Sequence, residues 1–155
     1  NDGYMLHLHD AEVDLHEWEK AIHELPHEVT THSINEYKQV MALNSGPYLD
    51  EYGYIWVESE KQRLENLWIG TMQKIVDYYI EINELFEAVE FLKQIIERVP
   101  ELEEAHLLLM KIYDEEDKHH LVLEQYDRYV SIQETFGLRP SPKVKKWYTD
   151  YIELI

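Results

Sequence analysis

Apolar residues recur along most of the chain three or four positions apart, which is the spacing of one face of an amphipathic helix. Only five glycines and five prolines interrupt the 155 residues. The pattern predicts helices over 14–25, 33–43, 55–82, 84–99, 102–115, 119–135 and from 141 onward. We therefore expect an all-α fold over nearly the whole chain.

The first residues follow a different pattern. Tyr4, Leu6 and Leu8 occur at every second position, which is the period of a β-strand. The preceding Asn-Asp-Gly of residues 1–3 has the composition of a hairpin turn. Residues 44–54 are rich in turn-forming residues and predict a loop. A short strand-like segment is therefore expected at the start, ahead of the helices.

Several predicted helices begin at residues that commonly cap helices. Asp14 and Ser33 are expected to accept hydrogen bonds from the first free N–H groups of their helices. Glu36 stands three residues after Ser33 and would complete a capping box. Ser141 followed by Pro142 predicts another helix start, because proline is tolerated at the first helical position.

Two stretches of the chain match each other at an offset of 34 residues. The matching pairs are Ile75 and Leu109, Val76 and Met110, Tyr79 and Tyr113, Asn83 and Asp117, Ala88 and Val122, and Leu92 and Tyr126. Thirty-four residues is the period of the tetratricopeptide repeat, whose helical pairs cover one another's apolar faces. We therefore expect tetratricopeptide-like stacked helical hairpins. An ordinary helical bundle with a chance correspondence is the alternative.

The repeat is degenerate at its turn. Glycine is usual between the two helices of such a unit, but Asn83 and Asp117 stand there in this sequence. Pro100 closes the first unit where a repeat of this type has proline, and the second unit lacks that proline.

The chain carries 32 acidic and 14 basic residues, so its formal net charge is −18 at pH 7. Such a field repels phosphate backbones, and we expect no direct nucleic-acid binding by this chain. We interpret the one small basic cluster as a solvated helix face; it comprises Arg139, Lys143, Lys145 and Lys146. No apolar run is long enough to span a membrane, so no membrane contact is expected. The sequence has no cysteine, which excludes disulfides and thiolate zinc sites and suits a reducing cytoplasm.

Residues 23–27, His-Glu-Leu-Pro-His, match the His-Glu-x-x-His motif of zinc hydrolases. On a continuous helix, His23 and His27 would share one face and bind one Zn²⁺, and Glu24 would polarise the bound water. Pro26 lies inside the motif and disfavours that helix. We therefore interpret the stretch as a helix end, and a zinc hydrolase is the less favoured alternative.

No other pattern in the sequence supports catalysis. His119 and His120 are adjacent, and adjacent helical residues point about 100° apart, so the two do not converge on one metal ion. A glycine-rich phosphate loop, a nucleophile elbow and a Ser-His-Asp order are all absent. We expect no catalytic residue, no metal and no cofactor.

A set of residues in ordered spacing runs through 45–152. It comprises Tyr48, Leu49, Trp56, Glu60, Arg63, Leu64, Pro100, His106, Leu109, Met110, Tyr113, Tyr126, Gly137, Leu138, Pro140, Ser141 and Pro142. In this order the residues resemble the bacterial transcriptional activator domain. That domain is the tetratricopeptide-like part of antibiotic-regulatory-type transcription factors and of related response regulators.

The resemblance implies that promoter DNA is bound by a winged-helix domain immediately N-terminal to the helical domain. Residues 1–13 would be the end of that winged helix or a linker from it, and 14–155 would be the tetratricopeptide-like domain. The implied partners are a second copy of the protein, an upstream regulatory or DNA-binding domain, and RNA polymerase, and the implied location is the cytoplasm. A free-standing tetratricopeptide-type adaptor outside transcription is the alternative.

Stacked helical hairpins leave a concave face lined by the first helix of each pair, and we expect a partner groove there. With Tyr79 and Tyr113 at equivalent positions, the groove candidates are Gln73, Asp77, Ile80, Leu107, Lys111 and Asp114. Ile80 and Leu107 would supply the exposed apolar surface that a bound helix or extended peptide requires. Trp147, at the edge of the last helix's stripe, is a candidate either to cap the repeats or to meet another subunit.

Tyr79→Ala and Leu92→Ala test the phase of the repeat. Both side chains fall on predicted buried faces, so each truncation should lower the free energy of unfolding by about 2–5 kcal/mol. Urea denaturation of each variant measures this loss. A loss below about 1 kcal/mol would mean that the repeat phase is misplaced.

Overall fold

The computed structural model describes residues 17–43 and 58–155, and helices are the only regular elements in these two ranges. Three predictions lie outside the described residues. They are the strand and turn at the start, the Asp14 cap, and the loop over 44–54. The predicted boundary between 1–13 and 14–155 lies outside them as well.

Seven helices make up most of the described chain. Helix α1 occupies residues 17–23 there, and the others are α2 (Ile34–Ala42), α3 (Glu58–Glu81), α4 (Leu85–Arg98), α5 (Glu103–Glu115), α6 (His119–Thr135) and α7 (Pro142–Leu154). None of these described helices is both long and apolar enough to cross a membrane. The predicted all-α, tetratricopeptide-like fold class is confirmed.

The helices fall into two compact units. Unit 1 comprises Asn1–Ile82 and contains α1, α2 and α3. Unit 2 comprises Asn83–Ile155 and contains α4 to α7.

In unit 1, an arginine with two carboxylate partners joins α1 to the start of α3. Arg63 Nη2 donates to Glu19 Oε1 at 3.0 Å, and Arg63 Nη1 also donates to this carboxylate. Arg63 Nη2 donates to Glu60 Oε1, one turn earlier on α3, at 2.6 Å. The hydrogen bond from Arg63 holds the pKa of Glu19 below its usual value. The planar guanidinium thus fixes α1 beside α3 through directional, charge-assisted bonds.

The start of α2 differs from the prediction. Ser33 makes no side-chain hydrogen bond to its own helix. Its hydroxyl instead donates to the Glu28 carbonyl at 3.0 Å and accepts from the Thr30 N–H at 2.8 Å. Thr30 Oγ1 accepts from the N–H groups of His32 and Ser33 at 3.2 and 3.3 Å. The predicted capping box of Ser33 and Glu36 is therefore wrong, because the Ser33 hydroxyl is used in an extra turn that precedes the helix, and Thr30 caps that turn.

Tyr37 anchors the segment between α1 and α2. This side chain is buried, and its hydroxyl donates to the Pro26 carbonyl. Burial raises the pKa of Tyr37. The interior of unit 1 consists mainly of buried apolar residues from its three helices. These residues include Trp18, Ile22, Ile34, Met41, Leu64, Trp68 and Met72. Tyr37 therefore fixes a proline-containing loop onto a packed interior.

Helix α5 is the central helix of unit 2 and packs against both α4 and α6. Seven of its thirteen residues are buried, among them Leu109 and Met110. Burying one such side chain contributes about 1.5–3 kcal/mol relative to leaving it exposed. The packing of α5 on two neighbours is therefore a main source of stability in unit 2.

The apolar pattern of α4 allows either Ile95 or Ile96 on its buried face. The structure buries Ile95 completely and leaves Ile96 half-buried. Ile95 lies three residues after Leu92 and seven after Ala88, so these three share one side of the helix. Both isoleucines satisfied the apolar pattern, and contact with α5 selects between them.

Left-handed residues follow α3 and α5 at equivalent positions. Asn83 has a φ of 59° and Asp117 a φ of 58°, and the two are 34 residues apart. The Lys118 N–H donates to the Tyr113 carbonyl at 2.8 Å, and the Asp117 N–H donates to the Asp114 carbonyl at 3.0 Å. These two bonds close α5 in a Schellman motif. Asn and Asp tolerate this conformation better than other non-glycine residues, so they replace the expected turn glycines.

Burial repeats with the same period. The pairs buried at both positions are Ile75 and Leu109, Val76 and Met110, Tyr79 and Tyr113, and Ala88 and Val122. Leu92 is buried, whereas its counterpart Tyr126 is half-buried. Ile95 and Tyr129, a pair that the sequence comparison had missed, are both completely buried. The 34-residue period therefore describes side-chain burial as well as residue type.

The predicted start of α7 is confirmed. Ser141 Oγ accepts from the Val144 N–H at 3.1 Å, and Pro142 stands at the first helical position. The Ser141 N–H donates to the Tyr129 hydroxyl of α6 at 2.9 Å. The apolar residues of α7 are buried only in part: Val144 and Tyr151 are buried, Tyr148 is half-buried, and Ile152 and Ile155 are exposed.

Asp117→Val tests the left-handed turn after α5. A β-branched side chain at this φ crowds the backbone, so Asp117→Val should be less stable than Asp117→Gly by about 1–2 kcal/mol. Free energies of unfolding in urea measure the difference. Glu115→Val, at an exposed right-handed helical position, is the matched control and should lose no more than about 0.7 kcal/mol. Equal stability of the valine and glycine variants at 117 would contradict the turn geometry.

Candidate functional site

The predicted partner groove has one row of candidates on α3 and an equivalent row on α5. On α3, Gln73 Nε2 donates to Asp77 Oδ1 at 2.9 Å. Asp77 is exposed, and Gln73 and Ile80 are half-buried. The structure thus brings Gln73 and Asp77 together on an accessible face of unit 1, with Ile80 three residues further along.

The row on α5 is less accessible. Leu107, which we expected to be exposed, is only 5% exposed, because α5 is covered by helices on two sides. Lys111 is exposed and Asp114 is half-buried. Lys111 stands where the α3 row has Asp77, so the two rows carry opposite charges at equivalent positions. The groove itself remains a prediction.

Trp147 belongs to an aromatic cluster between α6 and α7. Its ring is stacked on Tyr151, with centroids 5.4 Å apart and an interplanar angle of 6°. Tyr148 is stacked on Tyr126 of α6 at 3.7 Å. Such pairs contribute about 0.5–1.5 kcal/mol each beyond their buried area. Trp147 is half-buried, so part of its surface is left for a contact outside unit 2.

The His-Glu-Leu-Pro-His motif does not lie on a continuous helix. Helix α1 ends at His23, and Pro26 stands in irregular chain, as predicted. His23 and His27 are therefore not on consecutive turns of one helix. His23 Nε2 lies 3.5 Å from Glu19 Oε2, its neighbour one turn earlier. Within 17–43 and 58–155, no three metal-binding side chains form a cluster.

Four of the five motif residues, all except Glu24, instead line an open pocket of about 370 Å³ in unit 1. The residues after α1 form one side of it and the middle of α3 forms the other. We call it the α1–α3 pocket, and its walls include His23, Leu25 and His27 opposite Asn66, Gly70 and Lys74. Sequence reasoning missed this pocket, although the glycine in the middle of a predicted helix was a signal for it.

His119 and His120 have separate environments. His119 Nδ1 is hydrogen-bonded to the Tyr151 hydroxyl, which helps to attach α7 to the start of α6. His120 is exposed. The adjacent histidines therefore act singly.

The basic residues that we interpreted as a solvated face line part of a second pocket. Arg139 and Lys145 lie with Glu134 around a volume of about 590 Å³ at the corner between α6 and α7. Phe136 and Leu138 in the adjoining loop are 52% and 49% exposed. This corner combines charges of both signs with exposed apolar side chains, which is typical of protein contact surfaces.

A buried histidine connects the loop after α4 to α6. His106 is completely buried, its Nε2 lies 2.7 Å from the Pro100 carbonyl oxygen, and Gln125 Nε2 lies 2.8 Å from its Nδ1. A carbonyl only accepts, so Nε2 carries the proton and Nδ1 accepts from the Gln125 amide. Desolvation by burial lowers the pKa of His106, against the opposing effect of the bond to Pro100. One partner accepts a hydrogen bond and the other donates one, so the two together fit the neutral form of His106.

The sequence indicated Pro100 through the repeat and the family resemblance and His106 through the resemblance alone, and it missed Gln125. Gln125 is buried on α6, between the buried Val122 and Tyr129 at helical spacing. A glutamine on the apolar side of a helix was the available signal, because buried amides require partners.

A family model described as the bacterial transcriptional activator domain matches residues 9–150, which is most of the chain. This family consists of regulatory domains of transcription factors and is not a known enzyme family. Comparison with curated proteins gave no match, and comparison with solved structures gave none either.

His106 should make the stability of unit 2 depend on pH. Because the pKa of His106 is lowered in the folded protein, the unfolded chain takes up a proton at a higher pH than the folded protein does. The contribution of His106 to the free energy of unfolding is therefore fully present above about pH 6.5 and is lost as the pH falls below that value. The slope from this one group reaches at most about 1.4 kcal/mol per pH unit. Urea denaturation across this range should show a weaker pH dependence for His106→Leu than for the unchanged chain. His32→Gln, at an exposed position, is the control, and identical pH profiles for all three proteins would contradict the assignment.

Proposed function

The chain belongs to the bacterial transcriptional activator domain family, and we propose that it regulates transcription through protein–protein contacts. In this proposal a winged-helix domain N-terminal to the helices binds promoter DNA, and residues 1–13 connect the two. The helical domain of 14–155 supplies self-association and the contacts with other proteins.

The observation that supports this function is the shared 34-residue period of burial and turn geometry. One face of each repeated helix is committed to packing, as at Ile75 and Leu109. The polar positions in the same period, such as Asp77 and Lys111, stay exposed. Repeat proteins use such faces as extended binding surfaces. Each row would thus present a charged position to a partner, acidic on α3 and basic on α5.

The mechanism that we propose is a population shift. A signal from another domain, or a partner bound along the two rows, stabilises one association geometry of the protein over another. Two copies in that geometry hold two winged helices at the spacing of repeated promoter half-sites. A coupling free energy of about 1–3 kcal/mol between binding of the signal or partner and binding of DNA would change promoter affinity by about 5- to 150-fold.

The candidate partners are a second copy of the protein, an upstream regulatory domain and RNA polymerase, and the proposed site of action is the cytoplasm. The net charge of −18 opposes direct contact between this chain and DNA. In this proposal DNA affinity therefore comes from another domain. Once that domain is bound at the promoter, the helical domain contacts other proteins that are located there.

The coding sequence immediately before residue 1 separates this proposal from a free-standing adaptor. A winged helix encoded there supports the transcriptional role, and its absence supports the adaptor. Zinc hydrolysis is not proposed, because the helix that the metal site requires ends at His23.

Charge reversal in the two rows tests the contact surface. Lys111→Glu in the full gene product should lower reporter transcription about tenfold, which corresponds to about 1.4 kcal/mol of contact energy. The effect comes from the reversed charge, since Lys111 is exposed and contributes little to packing. Asp77→Lys should act in the same direction. Reporter activity is measured at matched protein levels.

Lys93→Glu is the control, because this exposed residue lies on α4, outside both rows. It should retain the activity of the unchanged protein. Full activity of both Lys111→Glu and Asp77→Lys, at normal protein levels, would contradict the proposed groove.

A further inference from the structure

The α1–α3 pocket has no acidic lining residue in a strongly acidic protein. Asp and Glu are 32 of 155 residues, so about two of eleven average residues would be acidic, and none of the eleven that line the pocket is. His23, His27 and Lys74 are among those eleven. Glu19 lies 3.5 Å from His23, but its carboxylate is already held by Arg63. The lining therefore carries the permanent positive charge of Lys74 and no carboxylate.

Lys74 is the permanent cation of this pocket. Its side chain is exposed, and no carboxylate in the part of the chain that the structure describes forms an ion pair with it. By contrast, Arg63 in the same helix is fully engaged by Glu19 and Glu60. Lys74 is thus available to a ligand at the rim of the pocket.

Gly70 opens the wall of α3 between Asn66 and Lys74, which lie one turn on either side of it. A Cβ added at Gly70 would meet nothing within 4 Å. Packing therefore does not require glycine here, and alanine is a better helix former. Glycine at such a position allows a ligand to approach the helix backbone closely. Its location inside the pocket is a second observation that points to a bound group.

We propose that the α1–α3 pocket binds a small organic anion, a carboxylate or a phosphate ester on a short apolar body. Lys74 pairs with the anionic group, and the ring N–H groups of the two histidines are donors for its oxygen atoms. Ile22, Leu25 and Leu67 in the lining receive the apolar body. A volume of about 370 Å³ matches the size of small-molecule sites.

The net charge of the chain does not prevent this binding. At physiological ionic strength, charges more than about 8 Å apart are largely screened, so distant carboxylates oppose the binding only weakly, whereas Lys74 acts at contact distance. The proposal rests on unit 1 alone and does not depend on the proposed function. A failed ligand titration would leave the reporter experiment unaffected.

Titration of the isotope-labelled chain by NMR at constant pH tests the proposal with three probes of equal length: hexanoate, hexyl phosphate and hexylammonium. The Gly70 and Thr71 amide signals should shift and saturate with at least one of the two anions and not with the cation. Saturation by hexanoate alone would identify a carboxylate ligand, and saturation by hexyl phosphate alone would identify a phosphate ester.

Three variants and one control, Lys93→Ala, locate the site. Lys74→Ala should raise the dissociation constant of the active anion about tenfold, whereas Lys93→Ala, an exposed lysine of unit 2, should leave it unchanged. Gly70→Ala should raise Tm by about 2–4 °C and still weaken binding, a combination that a purely structural glycine would not produce. Gly70→Leu should abolish binding in a folded protein.

Three results would overturn the proposal. The first is hexylammonium binding as tightly as the anions, and the second is an absence of saturation with either anion. The third is unchanged anion binding by Gly70→Leu in a chain that retains its helical circular dichroism. A lower Tm for Gly70→Ala would also remove the argument, because it would give Gly70 a packing role.

Discussion

The apolar side chains of helix α5 are buried only when α4 and α6 both pack against it, and this requirement determines the arrangement of these three helices in unit 2. The same packing that buries Leu109 and Met110 also carries His106 into the interior. A buried polar group without a partner costs about 1–3 kcal/mol, so His106 needs both the Pro100 carbonyl and the Gln125 amide. Apolar burial thus determines which polar bonds must exist. Those bonds in turn tie the loop after α4 and the face of α6 to one helix.

Local rules predicted most of the helix boundaries, and α6 was predicted over the residues that it occupies. The apolar period, the prolines and the capping residues each depend on residues only a few positions apart. A single sequence is therefore enough to predict where along the chain a helix begins and ends. Rotation about the helix axis depends on neighbours. The choice between Ile95 and Ile96, and the burial of Leu107, are therefore settled only by packing. The Ser33 cap failed for a related reason: the chain makes an additional turn at Thr30 before the helix begins.

The candidate surfaces were predictable to different degrees. The repeat phase identified the rows that contain Asp77 and Lys111, because it fixes which helical positions are equivalent. It gave no indication of the α1–α3 pocket, which exists only because the irregular chain after α1 lies beside the middle of α3. The His-Glu-Leu-Pro-His motif drew attention to the correct region for a different chemistry. Its proline ends the helix that zinc would need, and the same break leaves His23 and His27 at the rim of an open pocket.

The turns at Asn83 and Asp117 bear on how diverged repeats are detected. Each reaches a φ near 60° with a short polar side chain that tolerates this conformation, so the backbone geometry survives the loss of the residue that usually marks it. A profile that demands glycine in that column would score these units as unrelated helices. A profile that groups glycine, asparagine and aspartate by their shared access to left-handed backbone would keep them in one array. In this chain the two turns therefore share a backbone conformation although their residues differ.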